Sequence, residues 1–353
     1  MSERRPLGVV NQDDVARMAG VSRSTVSRAL KNDASIPETT RERIRRVAIE
    51  LGYRPDPFVA ANMHRVRRAE KKRIKALLAY LTPRALTSYF REVPSRRLQY
   101  ASAQEHAREL GFEIDVVPLE QNGLRLSGKR CTDILRARGV QGVLIAPFEN
   151  PFVRLHLDWS EFAVATIGFS HVHPKFSQAA SNHYYNISLI LRRLHHLGYR
   201  RIGLAIPARA DRYAQGAFSS VFCHYRDLQP PEHRIERFVP GGLEDWNERN
   251  FRKWYNAAKP DAVICINDEV RSWLAACGVR TPEDIGLVHL SWSKGKGDWS
   301  GVYQRNELVG SAAVQLVVDH LMLNERGIPL HPKSVLIDGE WVPGKTVRKQ
   351  EKG

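Results

Sequence analysis

The chain has 353 residues and a formal net charge of +16, with 54 Lys and Arg against 38 Asp and Glu. That length suits a small module joined to a larger domain with a substantial core. Residues 1–75 hold 18 basic and 9 acidic residues, so more than half of the net charge lies in about the first fifth of the chain. Such a basic segment is typical of proteins that neutralise nucleic-acid phosphates.

Composition excludes a membrane protein and a disulfide scaffold. No apolar run approaches the ~20 residues needed to cross a bilayer, and the polar start MSERRP does not resemble a secretory signal. The expected location is therefore the cytoplasm, at the nucleoid, with no membrane partner. The four cysteines are scattered without a CxxC pair, which predicts buried thiols and no zinc site; they are Cys131, Cys223, Cys265 and Cys277.

Residues that could support catalysis or metal binding are not grouped. The pairs His171–His173 and His195–His196 lack the helical i, i+4 spacing that places two imidazoles on one face. The KGKGDW segment lacks the spacing and the Lys-Ser/Thr ending of a phosphate-binding loop. No nucleophile is paired with a base, and no carboxylate pair is evident. We therefore expect no metal, no cofactor and no enzymatic activity.

Three short helices are predicted between Asn11 and Leu51. Asn11 can cap the first helix, and Gly20 ends it. Ser22 can cap the second, which follows after a tight bend, and two helices so joined form a helix-turn-helix. The third starts near Pro37 and carries apolar residues at i, i+3, i+4 and i+7 before a glycine stops it. We assign residues 8–53 to this all-α headpiece.

The second helix presents a basic, hydroxyl-rich face that is predicted to contact DNA. Guanidiniums can fork onto guanine edges in the major groove, and short hydroxyls can reach phosphates. The residues assigned to this role are Arg23, Ser24, Thr25, Ser27 and Arg28. The third helix adds Arg41, Arg43, Arg45 and Arg46 on its polar face. The alternative is a small helical bundle whose basic face is merely solvated.

The segments DVARMAGVSRSTVSRALKN and TRERIRRVAIELGYRPDP resemble the headpiece of the lactose-repressor (LacI) family of bacterial transcription regulators. The resemblance is unbroken over roughly the first sixty residues, apart from Pro37 where the family has a Ser or Thr cap. It implies a homodimer that places two headpieces on successive major grooves of a near-palindromic double-stranded DNA operator.

Residues 54–73 form a proline-containing basic segment, which is typical of a linker. In the family, the matching segment becomes a hinge helix on DNA and wedges an apolar side chain into the minor groove. Asn62 occupies the position that is usually Leu, so the resemblance assigns the wedge to the adjacent Met63. A linker that only tethers the headpiece is the alternative.

From residue 74 to 346, short apolar runs alternate with helical stretches. IKALLAYL, FEIDVVPL, GVLIAPF, FAVATIGF, RIGLAIP and DAVICIND are predicted strands, and the intervening segments are predicted helices. This alternation predicts an α/β domain of doubly wound parallel sheets. The weaker resemblance of LHHLGYRRIGL, KPDAVICIND and RNELVGSAAVQLVVDHLML to the family implies a regulatory domain with two lobes, like a periplasmic sugar-binding protein.

A small molecule is expected beyond the carboxyl ends of the strands. The loops concerned follow Leu81, Phe148, Phe169, Pro207 and Asp268. Asp268, with Asn267 before it, matches an acidic residue of the family that binds effector hydroxyls, although an Asn-Asp pair can also cap a helix. Trp292 follows the next strand and could cover a sugar face, although aromatic residues are more often core.

The resemblance also assigns Asn182, Arg212 and Tyr213 to the effector site, although this chain departs from the family there. Asn182 and Ser291 stand where the family often has Asp, and Tyr213 stands where it usually has Arg, with Arg212 one place earlier. The predicted effector-binding residues are therefore Asp268, Trp292, Asn182, Arg212 and Tyr213. The leading hypothesis is a ligand-responsive, sequence-specific transcription regulator, with a sugar or sugar derivative as its effector. The alternative is a DNA-binding regulator whose second domain answers to a protein partner.

Overall fold

The computed structural model describes residues 10, 12–30, 32–33, 35–53, 76–93, 95–121, 123–148, 154–169 and 173–350. Asn11 and the whole linker, with Asn62 and Met63, lie outside the described residues, as does His171.

The headpiece consists of three helices, α1 (Gln12–Ala19), α2 (Arg23–Leu30) and α3 (Glu38–Glu50). Their apolar faces meet in a small core of fully buried side chains, which includes Val15, Val26 and Ile44. Gly20 adopts φ +64°, a left-handed conformation that costs glycine little, and so ends α1 before the bend. The helix-turn-helix predicted from capping and apolar spacing is confirmed.

The remaining helices and strands alternate along the chain. The helices are α4 (Leu86–Glu92), α5 (Ser95–Glu109), α6 (Gly128–Ala137), α7 (His183–His196), α8 (Ala208–Tyr213), α9 (Ala217–Asp227), α10 (Glu248–Ala258), α11 (Glu269–Ala276) and α12 (Asn306–Met322). The strands are β1 (Ala76–Thr82), β2 (Phe112–Pro118), β3 (Glu120–Gln121), β4 (Leu124–Arg125), β5 (Val140–Ile145), β6 (Ala163–Ile167), β7 (Ser177–Ser181), β8 (Ile202–Ala205), β9 (Ala262–Cys265), β10 (Gly286–Trp292), β11 (Ser300–Tyr303), β12 (Ser334–Ile337) and β13 (Glu340–Val342).

These strands form two main sheets, each the centre of one lobe. The first has the order β2-β1-β5-β6-β7-β12 and is parallel throughout. The second has the order β8-β9-β10-β11-β13, with only the β11–β13 pair antiparallel. Two doubly wound sheets confirm the predicted fold class, and the six predicted strands are all present.

The chain passes between the lobes three times among the described residues: after β7, after β11 and after β12. The first crossing leads from β7 into α7 of the second lobe. The second leads from β11 into α12, which packs on α5 and on the first sheet. The third leads from β12 to β13. The crossings lie beside one another, since Asn182 Nδ2 donates to Asp338 and the Ser181 hydroxyl donates to the Gln304 carbonyl.

The described residues contain no helix long and apolar enough to span a membrane.

Candidate functional site

The exposed face of α2 is the candidate DNA-reading surface. Ser22 caps the helix, because its Oγ accepts the backbone N–H of Thr25 at 3.1 Å. The same Oγ lies 2.8 Å from the hydroxyls of Ser24 and Thr25. Thr25 and Ser27 are half-buried, whereas Arg23, Ser24 and Arg28 are exposed. The side chains best placed to reach a base edge are therefore those three.

Arg28 lies at the end of α2 near Asp33. Hydrogen bonds from Ser35 lower the pKa of the Asp33 carboxyl, and the positive charge of Arg28 lowers it further. Arg28 also faces a crevice of about 280 Å³ against the first lobe, whose opposite wall includes Asn324 and Arg326. Asn324 Nδ2 donates to the Asn32 carbonyl at 3.1 Å across this boundary.

The basic face of α3 differs from the sequence interpretation. Arg41 donates to the Asn32 carbonyl at 3.1 Å, and Arg45 donates to the Asn32 side chain. Both guanidiniums also pair with Glu38. They therefore hold the loop after α2 against α3 and are not free phosphate contacts. Arg43 and Arg46 remain exposed on this face.

A cavity of about 660 Å³ lies between the lobes, at the ends of the strands and beside the crossings. Its size is in the range of ordinary small-ligand sites. Residues from both lobes line it: Val93, Ser95, Arg96, Gln99, Pro147, Gly168, Phe169, Ser181, His183, Pro207, Arg209, Ala210, Tyr213, Ala214, Phe218, Leu243, Ile266, Asn267, Ser291, Gln304 and Asn306. Phe169 and Pro207 end two of the segments that the sequence placed next to a ligand.

Polar side chains in the cavity wall are held by one another. Gln99, at the start of α5, donates from Nε2 to Asn306 Oδ1 at 2.8 Å, which links α5 to α12. Gln304 donates to the Leu290 carbonyl at 2.9 Å. The Oε1 atom of Gln99 is buried and has no hydrogen-bond partner among the described residues. A buried acceptor without a partner is costly, so this atom favours a donor supplied by a ligand.

Aromatic residues form another part of the wall. The ring of His183 packs edge-on against Phe218, with centroids 5.0 Å apart, and lies 6.0 Å from the ring of Phe169. Burial lowers the pKa of His183 to about 4, so the imidazole is neutral near pH 7. Tyr213 completes this wall from α8. The flat aromatic surface at the cavity is therefore built around His183 and Phe218, which were not predicted from the sequence, together with Tyr213, which was.

The predicted effector residues Asp268 and Trp292 do not line the cavity. Both carboxylate oxygens of Asp268 accept from Lys296 Nζ at 2.6 Å, and His289 Nε2 lies 3.4 Å from one of them. Its neighbour Asn267 lines the cavity instead. Trp292 packs edge-on against Tyr303 with centroids 6.0 Å apart.

Asn182 and Arg212 also lie outside the cavity lining. Asn182 caps α7, where its Oδ1 accepts the backbone N–H of Tyr185 at 3.1 Å, and its Nδ2 donates to Asp338 at 2.8 Å. The bond to Asp338 joins two of the interlobe crossings. Arg212 is exposed on α8, whereas Arg209, one turn earlier on that helix, lines the cavity. Of the five predicted effector residues, the structure places Tyr213 in the wall.

In the part of the chain that the structure describes, no group of three or more His, Cys, Asp or Glu is arranged to hold a metal ion. Cys131 and Cys265 are buried, as predicted, but Cys223 and Cys277 are only half-buried. Burial raises the pKa of the Cys131 thiol to about 11.

Comparison with known proteins assigns both parts of the chain. Residues 12–56 match the family of bacterial regulatory proteins, lacI family. Residues 191–347 match the periplasmic binding protein-like domain. The HTH-type transcriptional repressor PurR of Serratia proteamaculans is 23% identical over 353 aligned residues, covering 93% of this chain and 97% of that protein.

Two solved structures share the fold at low sequence identity. The lac repressor dimer bound to operator and the anti-inducer ONPF has a TM-score of 0.53 and 20% identity, covering 96% of this chain and 99% of that one. The complex of the transcriptional regulator CelR with cellobiose has a TM-score of 0.52 and 18% identity, with the same coverage. The chain therefore combines a helix-turn-helix domain of the lacI family of bacterial regulatory proteins with a periplasmic binding protein-like domain.

Proposed function

We propose that the protein binds a near-palindromic operator as a homodimer and that a small molecule in the interlobe cavity controls this binding. The observation that carries the proposal is the combination, in one chain, of the exposed basic face of α2 and an interlobe cavity of about 660 Å³. The relative with a determined operator complex is a dimer by its description, which supports the same assembly here.

Base reading is assigned to Arg23 and Arg28, and backbone contacts to the hydroxyls of Ser24, Thr25 and Ser27. A guanidinium can donate two parallel hydrogen bonds to a guanine edge, which discriminates against the wrong base by about 1–3 kcal/mol. The exposed Arg43 and Arg46 of α3 are available for phosphates, and such contacts add affinity without sequence preference. Specificity should therefore depend on α2, and general affinity on both helices.

The effector is assigned to the class of sugars and sugar derivatives. The cavity combines a flat wall around His183 and Tyr213 with amide groups from Gln99 and Asn267, the usual mixture for a polyhydroxylated ligand. The cellobiose complex of a structural relative supports this assignment. The volume of the cavity and its lining from both lobes favour a small molecule over a partner protein, since about 660 Å³ is in the range of ordinary small-ligand sites.

Selection of DNA from a random pool by the purified full-length protein tests the proposed function. We expect a motif with two-fold symmetry and, by sedimentation, two protein chains on each DNA. Arg28→Ala should lose specific affinity by about 1–3 kcal/mol and relax one position in each half-site. Arg46→Ala is the matched control, since it removes an exposed arginine outside α2 and should weaken specific and random DNA in similar proportion.

An enriched motif without symmetry would refute the dimer on a palindrome. Equal proportional losses on specific and random DNA for Arg28→Ala would refute the base-reading assignment. The linker adds a separate proposal, since Met63 is assigned as the minor-groove wedge. Met63→Ala should then reduce DNA bending together with affinity, and unchanged bending would leave the linker as a tether.

A further inference from the structure

The charges around the interlobe cavity are of one sign. Arg96 and Arg209 line it, one from each lobe, and none of its described lining residues is Asp or Glu. Asp268, the acid that the sequence placed near a ligand, forms an ion pair with Lys296 instead. A neutral sugar is commonly held by a carboxylate that accepts from its hydroxyls, and no such group is among the described lining residues.

Arg96 is fixed in the wall of the first lobe. It is 3% exposed, its guanidinium lies 4.4 Å from the centroid of the Tyr89 ring, and its Nη1 donates to the Tyr89 carbonyl at 3.2 Å. Tyr89 is itself held, because its hydroxyl donates to the carbonyl of Pro147, another lining residue. The guanidinium is permanently charged and already oriented, so a ligand that meets it loses little entropy in ordering it.

Three helices add to the positive potential, because each begins at the cavity wall. Ser95 and Arg96 open α5, His183 opens α7 and Asn306 opens α12, and all four residues line the cavity. The amino-terminal end of a helix carries a partial positive charge and favours anions. The buried Gln99 Oε1, which has no partner among the described residues, requires a donor such as a hydroxyl.

We propose that the effector is a small hydroxylated anion, such as a sugar acid or a phosphorylated sugar. This inference rests on the proposed function and narrows the ligand class of the same cavity. The anionic group binds between Arg96 and Arg209, and ligand hydroxyls donate to amide oxygens such as Gln99 Oε1. Because the two arginines belong to different lobes, an anion that contacts both stabilises the arrangement in which the lobes face each other across the ligand.

Calorimetry on the full-length protein tests this inference with matched ligands at constant ionic strength. The probes are D-glucose, D-gluconate, D-glucuronate and D-glucose 6-phosphate, with the corresponding sets built on galactose and mannose. We expect at least one anionic member to bind about tenfold or more tightly than its neutral parent, because a charged hydrogen bond is stronger than a neutral one. The acid and phosphate members distinguish the two sources of negative charge.

Two variants on α8 provide a matched pair. Arg209→Gln should lose about tenfold or more of the anion affinity. Arg212→Gln removes the same charge from an exposed residue one turn away that does not line the cavity, and should stay within about twofold because solvent screens it. Both residues are exposed, so neither variant removes a core side chain.

A neutral parent that binds as tightly as its anionic derivatives would overturn the inference, as would a panel in which no anion binds. Equal losses in Arg209→Gln and Arg212→Gln would also overturn it. These failures differ from a failure of the proposed function, which would appear in the operator selection. If the protein selects a symmetric operator but binds only neutral sugars, the proposed function stands and the anionic ligand class is refuted.

Discussion

The close contact between α5 and α12 predicts that one substitution, Gly310→Ala, should lower both the stability of the protein and its affinity for the effector. Gly310, within α12, lies so close to α5 that a Cβ atom added there would be 1.9 Å from the backbone oxygen of Gln99 and 2.3 Å from Ser102 Oγ. Ordinary contacts begin at 3.4 Å. In Gly310→Ala the helices must therefore separate by roughly 1.5 Å, because neither backbone can give way alone.

The expected cost follows from two opposing effects. Overpacking against a backbone atom destabilises by up to about 3 kcal/mol, whereas replacing glycine by alanine within a helix returns about 1 kcal/mol. The net loss is about 2 kcal/mol, which lowers the midpoint of thermal unfolding of the regulatory domain by about 4–8 °C. The displacement also moves Gln99 away from Asn306, its partner at 2.8 Å in the cavity wall, so effector affinity should fall as well.

Circular dichroism during heating measures the stability, and calorimetry measures the ligand. Gly241→Ala is the matched control, because a Cβ atom there meets nothing within 4 Å. It should change stability by no more than about 0.5 kcal/mol. If Gly310→Ala unfolds at the same temperature as the unaltered protein, the close approach of the two helices, and the reasoning built on it, is refuted.

Three further predictions concern other parts of the molecule. Arg45→Met should lower the thermal stability of the headpiece, because it removes the hydrogen bond to Asn32. Arg43→Met removes an exposed side chain of α3 and should leave that stability unchanged. Circular dichroism during heating measures both. His183 has a folded-state pKa of about 4 against 6.5 for a free imidazole. Between these two pH values the unfolded chain binds a proton on His183 that the folded chain does not bind. The free energy of unfolding should therefore fall by about 3 kcal/mol as the pH drops from 6.5 to 4. Denaturant titrations should find a smaller fall in His183→Asn. Native protein treated with a thiol reagent should leave Cys131 unmodified while Cys223 reacts, since burial raises the pKa of the Cys131 thiol.

The fold was largely predictable because its elements carry local signals. Most of the predicted strands are apolar runs that the structure buries, as in the fully buried β6 and β9, whereas β2 is only partly buried. The strand β7 was missed, because its sequence SQAAS has no large apolar residue. It is nevertheless part of the first sheet, since it pairs with β6 on one side and with β12 on the other. Only tertiary pairing makes this segment a strand.

The cavity was less predictable because neighbouring residues on a strand face opposite sides. Ser291 and Trp292 are consecutive at the end of β10, yet Ser291 lines the cavity whereas Trp292 packs on Tyr303. The strand end that was predicted from the sequence does lie at the cavity, but the residue that lines it is the neighbour of the predicted one. The same holds after β9, where Asn267 lines the cavity whereas its neighbour Asp268 binds Lys296. Arg96 and Gln99 gave no local signal, because they open a helix that reaches the cavity only through the packing of α5 on α12.

In the proposed function, an effector in the cavity would act on DNA binding through the relative position of the two lobes. Gln215, which follows α8 in the second lobe, donates to the carbonyl of Phe169 in the first lobe at 2.9 Å, so the cleft is already bridged by the protein. At the crossings, Asn182 Nδ2 donates to Asp338 at 2.8 Å, which ties two of the connecting segments together. A ligand shifts this equilibrium only as far as it binds one arrangement more tightly than the other. Because coupling between two binding equilibria is reciprocal, operator DNA that favours one arrangement of the lobes should change effector affinity by the same factor.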